Sequence, residues 1–197
     1  SVYTESLFIL MVLSSFYFAD KKLLLASIIG SLSSLTRITG IFLAPTLNFK
    51  KKMPYFIIPI GLLIYMIYLQ INFNDPLYFI SGQSAFGNER STSSIVFFPQ
   101  VIFRYLKILI TTQGKELLTA TFELLSTLAA FAVLFLALRV EKMKREWVFF
   151  SLLAVTLPTL TGTLSSMPRY ILVAFPIYIY LSLISNKFIK VFILFVF

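Results

Sequence analysis

The stretch that decides the fold is "KKLLLASIIGSLSSLTRITGIFLAPTLNFKKK", residues 21–52. Lysines flank an apolar run on both sides, and a single helix would carry the two lysine clusters to opposite faces of a bilayer. Two half-helices with a break at "TRITG" return both clusters to the cytoplasmic face, where lysine and arginine are enriched. Gly40 and its hydroxyl neighbours tolerate such a turn. We therefore predict a broken helical hairpin, with helices at about 23–36 and 39–49.

The remaining apolar residues also occur in long blocks. The chain of 197 residues is 58% hydrophobic and 13% charged, with a mean hydropathy of +0.90, whereas a soluble domain is about one quarter charged. Long apolar blocks are typical of polytopic membrane proteins. We predict an all-α, multi-pass integral membrane bundle that forms one transmembrane domain over residues 1–197. Its other helices are expected at about 6–19, 54–70, 117–138, 147–164, 170–185 and 188–197.

Basic residues orient this bundle. The predicted topology places most of the 17 lysines and arginines on the inner side and leaves a long external segment at 71–116. The inner residues are Lys21, Lys22, Lys50, Lys51, Lys52, Arg139, Lys142, Lys144, Arg145, Lys187 and Lys190. The net charge of +9 is thereby explained as an orientation signal, and we expect no nucleic-acid partner.

The external segment contains its own helical pattern, "FPQVIFRYLKILITTQGKE". Pro99 suits a first helical position, and a helix at about 99–111 separates a polar face from an apolar one. The polar face holds Gln100, Arg104, Lys107 and Thr111; the apolar face holds Val101, Ile102, Tyr105, Ile108 and Leu109. We predict an amphipathic helix in the outer interface, with Arg104 and Lys107 as lipid-interface residues.

The amino-acid composition excludes several kinds of functional site. The chain has no cysteine and no histidine, which excludes disulfides, thiolate zinc sites and the commonest general base. Neither a Gly-rich phosphate loop nor a nucleophile elbow is present. We expect no metal and no cofactor, so that any acid–base chemistry falls to carboxylates.

Two arginines on the predicted outer side are candidate anion ligands. Arg37 in the hairpin break is either an interfacial arginine whose head group reaches water or a contact for an anion. Arg169 in "SSMPRY" follows Pro168 at the predicted start of helix 170–185, where backbone N–H groups and the Ser166 hydroxyl favour phosphate. The alternative is a capped helix with an interfacial arginine.

Three acids are also of interest. Glu5 precedes the first predicted helix and is placed to share an external cavity with Arg37. Asp75 in "NDP" most simply caps a turn. Glu123, within an apolar helix, is a functional candidate by default, although a snorkelling side chain or an interhelical hydrogen bond explains it more simply.

Four motifs in order resemble a known family. "YTESLFILMVLSSFYF" and "KKLLLASIIGSLSSLTRITGIFLAP" resemble the middle of GT-C membrane glycosyltransferases. "NDPLYFISGQSAFGNER" and "TLSSMPRYILVAFPIYI" resemble the loop and the helix start of PIG-V type mannosyltransferases. The resemblance covers most of residues 3–185.

The resemblance implies transfer of mannose from a polyprenyl-phosphate-mannose donor to a lipid-linked or glycan acceptor on the non-cytoplasmic side; eukaryotic members of the family act in GPI-anchor assembly. It implies phosphate contacts for Arg169 and Arg37, and substrate-entrance roles for Asp75 and Gln83, with Glu5 and Ser166 as further entrance candidates. The family's catalytic acid is expected upstream of residue 1.

Two other functional hypotheses stay open. A transporter or flippase for a lipid-linked or anionic substrate would also use broken helices and outward-facing arginines, and a non-catalytic fragment is the third possibility. The chain does not begin with Met and ends inside an apolar run, so we expect a piece of a larger membrane protein. Lysine- and isoleucine-rich loops without N-glycosylation sequons favour a prokaryotic plasma membrane over the endoplasmic reticulum.

Overall fold

The computed structural model describes residues 4–48, 55–82 and 96–184, and these ranges are all-helical without a strand. The chain divides into two compact units, Ser1–Gly82 and Gln83–Phe197, and each is described by itself. The predicted helix at 188–197 and the entrance residue Gln83 lie outside the described residues. The assignment of residues 1–197 to one transmembrane domain stays a prediction.

The first unit contains five α-helices in its described residues, together with 3-10 turns at Ile38–Phe42 and Tyr55–Ile57. The helices are α1 (Glu5–Ala19), α2 (Leu23–Thr36), α3 (Leu43–Asn48), α4 (Ile58–Phe73) and α5 (Tyr78–Ser81). The described part of the second unit contains α6 (Phe98–Thr111), α7 (Lys115–Ala137), α8 (Arg145–Thr159), α9 (Met167–Ile171) and α10 (Pro176–Leu183).

The predicted break in the hairpin is present at Arg37. Helix α2 ends at Thr36, Arg37 is extended (φ −149°, ψ 138°), and the 3-10 turn follows directly. A Cβ atom at Gly40 would lie 2.5 Å from the Ser34 nitrogen and 2.7 Å from the Ser33 oxygen. The chain therefore turns back against the end of α2, and glycine is the residue that permits this close approach.

Small residues bring α2 and α4 together. A Cβ atom at Gly61 would overlap the Ser31 carbonyl oxygen, so the two helix backbones touch at this point. The Ser34 hydroxyl donates a hydrogen bond of 2.6 Å to the Ile58 carbonyl. Close packing of small and hydroxyl residues is a common way for apolar helices to associate, and here it fixes the end of α2 that leads into Arg37.

Helix α7 is the centre of the second unit. It contacts α6, α8, α9 and α10. Fully buried side chains from these helices and from the loop after α8 pack together around it, among them Leu134, Val148, Leu164, Met167 and Ile177. Both α6 and the segment that carries Arg169 are thereby seated on α7.

The predicted helix at 170–185 is wrong in one respect, since the structure has two shorter helices there. Helix α9 ends at Ile171 and α10 begins at Pro176. Proline suits a first helical position but removes an N–H group and crowds the preceding turn, so Pro176 separates the two. The predicted helix at 147–164 likewise ends earlier, at Thr159.

Two helical segments among the described residues, Tyr55–Phe73 and Lys115–Ala137, are long and apolar enough to cross a bilayer. Large apolar side chains on the first of them face outward, with Ile71 76% exposed and Ile67 60% exposed. By length and composition, these two segments thus resemble membrane-spanning helices. The number and direction of the crossings stay predictions.

Candidate functional site

In the first unit, Glu5 and Arg37 form an ion pair. The Arg37 Nη2 and Glu5 Oε1 atoms are 3.4 Å apart, and the side chains are only 16% and 13% exposed, respectively. Glu5 begins α1 and Arg37 follows the end of α2, so the short connection at residues 20–22 brings them to the same end of the helix pair. The expected proximity of Glu5 and Arg37 is thus present as an ion pair, and their position on an outer side stays a prediction.

Asp75 organises the turn after α4. Its Oδ1 atom accepts the Leu77 N–H at 2.8 Å, and its Oδ2 atom accepts the Ser81 hydroxyl at 2.6 Å. Asn74 before it is left-handed, with φ 54°, which asparagine tolerates better than most residues. The interpretation of "NDP" as a capped turn is confirmed, and a role for Asp75 at a substrate entrance stays a prediction.

In the second unit, the loop between α8 and α9 contains two left-handed residues, Gly162 (φ 85°) and Ser166 (φ 66°). A Cβ atom at Gly162 would lie 3.0 Å from the Val96 side chain. Arg104 on α6 donates to the Gly162 carbonyl at 3.4 Å. The loop before Arg169 is therefore tightly packed against the start of α6.

Glu123 on α7 binds this loop with one carboxylate oxygen and helix α6 with the other. Its Oε1 atom accepts the Ser166 backbone N–H at 3.1 Å, and its Oε2 atom accepts the Tyr105 hydroxyl at 2.7 Å. The carboxylate thus joins α6, α7 and the start of α9. The simpler interpretation of Glu123, an interhelical hydrogen bond, is confirmed.

Tyr105 is the second member of this network. Its hydroxyl accepts the Leu164 N–H at 2.9 Å and lies 3.2 Å from the Thr163 hydroxyl. Because the phenolic proton is directed to Glu123, Thr163 acts as the donor in that contact. Burial raises the pKa of Tyr105 to about 12, so the phenol stays protonated and keeps donating.

The backbone N–H groups at the start of α9 are already used. The Ser166 N–H donates to Glu123, the Met167 N–H to the Leu164 carbonyl at 3.0 Å and the Arg169 N–H to the Ser166 carbonyl at 3.0 Å. Pro168 has no N–H group. The expectation that this turn offers free amides to a phosphate is therefore wrong, because the Glu123 carboxylate and the backbone carbonyls of Leu164 and Ser166 accept hydrogen bonds from them.

The Arg169 side chain also lies at this turn. It is partly exposed, and its guanidinium carbon lies 5.6 Å from the centre of the Tyr170 ring. Ser165 and Ser166 beside it are also partly exposed. A guanidinium group with neighbouring hydroxyls is suited to phosphate oxygens, whether or not the backbone contributes.

Helix α6 has three faces, whereas its sequence pattern predicts two. Val101 and Tyr105 are buried in the unit, whereas Phe103 is 71% and Ile110 is 86% exposed. Lys107 is exposed, and Arg104 is partly buried where it reaches the loop. One apolar face packs on the protein and the other is exposed. The role of this helix at a membrane interface stays a prediction.

Sequence reasoning missed the link between Tyr105, Glu123 and the loop. Glu123 was recognisable as an acid in an apolar helix, but its partners are 18 and 43 residues away along the chain. Tyr105 was assigned to the apolar face, where a buried hydroxyl requires a partner. The need of a buried tyrosine hydroxyl for a hydrogen-bond partner was the one feature of the sequence that pointed to this contact.

Among residues 4–48, 55–82 and 96–184, no group of three or more His, Cys, Asp or Glu side chains is placed to hold a metal ion. Comparison with known proteins found no matching family model, curated protein or solved structure.

Proposed function

We propose that the chain is part of a multi-pass membrane glycosyltransferase of the GT-C type, similar to PIG-V mannosyltransferases. It would move a hexose, mannose in the first instance, from a polyprenyl-phosphate-sugar donor to a lipid-linked or glycan acceptor on the non-cytoplasmic side. The observation that carries the proposal is the setting of Arg169. It lies in an interrupted helical segment whose preceding loop is held by three hydrogen bonds, two with α6 and one with α7.

The chemistry requires stabilisation of a leaving phosphate. An acceptor hydroxyl attacks the anomeric carbon, the bond from that carbon to the phosphate oxygen breaks, and the phosphate leaves with negative charge. A guanidinium group stabilises that charge best when it is fixed in place before the reaction. The Arg169 side chain is the proposed contact in the second unit.

Arg37 is proposed as an anion contact in the first unit. Its pairing with Glu5 at 3.4 Å compensates the charge of Arg37, and a guanidinium group in general can contact more than one acceptor. Glu5 is thereby committed to Arg37, and we do not assign it as the general base. In the proposed reaction, a separate carboxylate deprotonates the acceptor hydroxyl.

The proposed setting is a bilayer, most simply a prokaryotic plasma membrane. Support comes from the two helices of crossing length and from the exposed apolar residues of α4 and α6. Helix α6 would lie at the outer surface, with Phe103 and Ile110 in lipid and Lys107 towards head groups.

The test is sugar transfer by the full-length gene product in proteoliposomes, with a polyprenyl-phosphate-mannose donor. Arg169→Ala is expected to lower kcat/KM about 100-fold, the loss typical for one stabilising donor. Arg139→Ala, an exposed arginine in the turn after α7, is the matched control and should transfer normally. Absence of transfer from any such donor would rule out the enzyme.

A transporter or flippase is the second candidate, and Glu123 favours it. A carboxylate inside an apolar helix of crossing length, next to an interrupted helix, is also a feature of transport pathways. Movement of a fluorescent polyprenyl phosphate between leaflets of the same proteoliposomes, without sugar transfer, would favour this alternative. A chain with neither activity would be a non-catalytic fragment.

A further inference from the structure

We propose that Glu123 is a positioning residue for Arg169. Through the Ser166 amide, Glu123 sets where α9 begins and hence where the Arg169 guanidinium lies. The inference rests on the proposed function, in which Arg169 contacts the phosphate of the lipid donor.

The connection from Glu123 to Arg169 has two consecutive hydrogen bonds. Glu123 Oε1 accepts the Ser166 N–H at 3.1 Å, and the Ser166 carbonyl accepts the Arg169 N–H at 3.0 Å. The peptide groups on both sides of Ser166 are therefore fixed, one by α7 and the other by α9. A shift of Ser166 would move the first turn of α9 with it.

The conformation of Ser166 requires such support. Its φ of 66° is left-handed, which is uncommon for a residue other than glycine, asparagine or aspartate. Residues in this region persist where the surroundings over-determine them, and they are concentrated at functional sites. The Glu123 carboxylate is the group that holds the amide in this orientation.

The backbone of Glu123 is itself fixed. Its carbonyl oxygen accepts the Thr127 hydroxyl at 2.6 Å and the Ser126 hydroxyl at 3.1 Å, and both residues are fully buried. Its second carboxylate oxygen accepts the Tyr105 hydroxyl at 2.7 Å. Contacts within α7 and from α6 thus hold the Glu123 carboxylate independently of its contact with the loop. This is the arrangement expected of a supporting residue.

The Glu123 carboxylate also determines whether the Ser166 amide or the Arg169 side chain contacts an anion. Without Glu123, the Ser166 amide would be an unpaired donor near Arg169 and would itself attract phosphate. With it, that amide is satisfied and the side chain of Arg169 remains as the anion contact. Loss of Glu123 should therefore change donor affinity through Arg169 and not simply loosen the fold.

The experiment uses the full-length protein in proteoliposomes and compares Glu123→Gln, Arg169→Ala and the double variant. Glu116→Gln is the matched control, because it makes the same change at an exposed site of the same helix. Three quantities are measured: the melting temperature, the dissociation constant of undecaprenyl phosphate, and kcat and KM for polyprenyl-phosphate-mannose. Tyr105→Phe, which removes the other donor to Glu123 but keeps both carboxylate oxygens, serves if Glu123→Gln fails to fold.

Glu123→Gln keeps one acceptor oxygen and loses one, so we expect the dissociation constant and the donor KM to rise about tenfold. Tyr105→Phe should raise both about threefold. Because Glu123 acts through Arg169, the Glu123→Gln change should add no further loss in the Arg169→Ala background. Glu116→Gln should leave all three quantities unchanged.

Three results would overturn the inference. One is a lower melting temperature with unchanged dissociation constant and KM, which would make Glu123 merely structural. Another is a double variant in which the two losses multiply, and the third is a wild-type protein that binds no undecaprenyl phosphate. If wild-type protein transfers no sugar but binds undecaprenyl phosphate with Glu123 and Arg169 coupled, the proposed function fails and the inference stands.

Discussion

Glu123 and Ser166 are 43 residues apart in the chain, yet the carboxylate of one accepts the backbone N–H of the other at 3.1 Å. This contact places an acid from an apolar helix at the start of the short helix that carries Arg169. A partly buried charge is stable only with partners, and the loop amide and the Tyr105 hydroxyl provide them. The same contact therefore stabilises the second unit and shapes its candidate anion site.

The conformation of Ser166 can be tested directly. Ser166→Gly should be neutral or stabilise the protein by up to ~1 kcal/mol, because glycine adopts a φ of 66° without steric cost. Ser166→Val should lower stability by about 2 kcal/mol, because a β-branched residue resists that backbone region. Thermal unfolding in detergent measures both, and equal stabilities for the two variants would contradict the assignment of a left-handed residue.

The contact between α2 and α4 depends on Gly61. Gly61→Ala places a methyl group on the Ser31 carbonyl oxygen and should destabilise the first unit by about 2 kcal/mol, since the helix backbones must separate. Gly82→Ala is the control, because its Cβ atom would be 3.5 Å from the Tyr78 ring, an ordinary contact. Thermal unfolding of the two variants should differ in this direction; a stable Gly61→Ala protein would refute the close helix packing.

The ion pair of Glu5 and Arg37 should show energetic coupling. Each side chain is mostly buried, so Arg37→Ala or Glu5→Ala alone leaves an uncompensated charge and should lower stability by about 1–3 kcal/mol. The double variant should lose less than the sum of the single losses. A double-mutant cycle on thermal stability measures the coupling, and strict additivity would mean that the pair contributes nothing.

The raised pKa of Tyr105 predicts that the protein loses stability at high pH. Its pKa is about 12 in the folded protein against 10.0 ordinarily, so the folded state binds more protons between these values. The contribution of Tyr105 to stability is thus complete below pH 10 and falls as the pH rises towards 12. Tyr105→Phe removes that contribution, so the stability difference between wild type and Tyr105→Phe should shrink over this range. A difference independent of pH would contradict the raised pKa.

Features that depend on neighbouring residues were predictable. The break after Thr36 follows from Arg37 and Gly40 within an apolar run, and the position of α6 follows from Pro99 and its alternating faces. The turn at Asp75 follows from the sequence "NDP", because a short side chain bonds to its own backbone two residues on. In each case the cause lies within a few residues along the chain.

Helix boundaries near proline were less predictable. Residues 170–185 are mostly apolar, and hydropathy alone does not distinguish one helix from two helices separated by residues 172–175. The effect of a proline depends on whether the preceding backbone bends or ends there. Packing of α9 and α10 on α7 decides this.

The sequence by itself determined that this chain is helical and apolar, where the first hairpin breaks, and that Arg37, Arg169 and Glu123 are unusual in their surroundings. These properties follow from composition, periodicity and local turn chemistry, all of which act over a few residues. Only the tertiary structure decided the partners. It made an ion pair of the expected proximity of Glu5 and Arg37, and it directed Glu123 to Ser166. A contact between distant residues depends on how helices pack, and no local pattern encodes that distance.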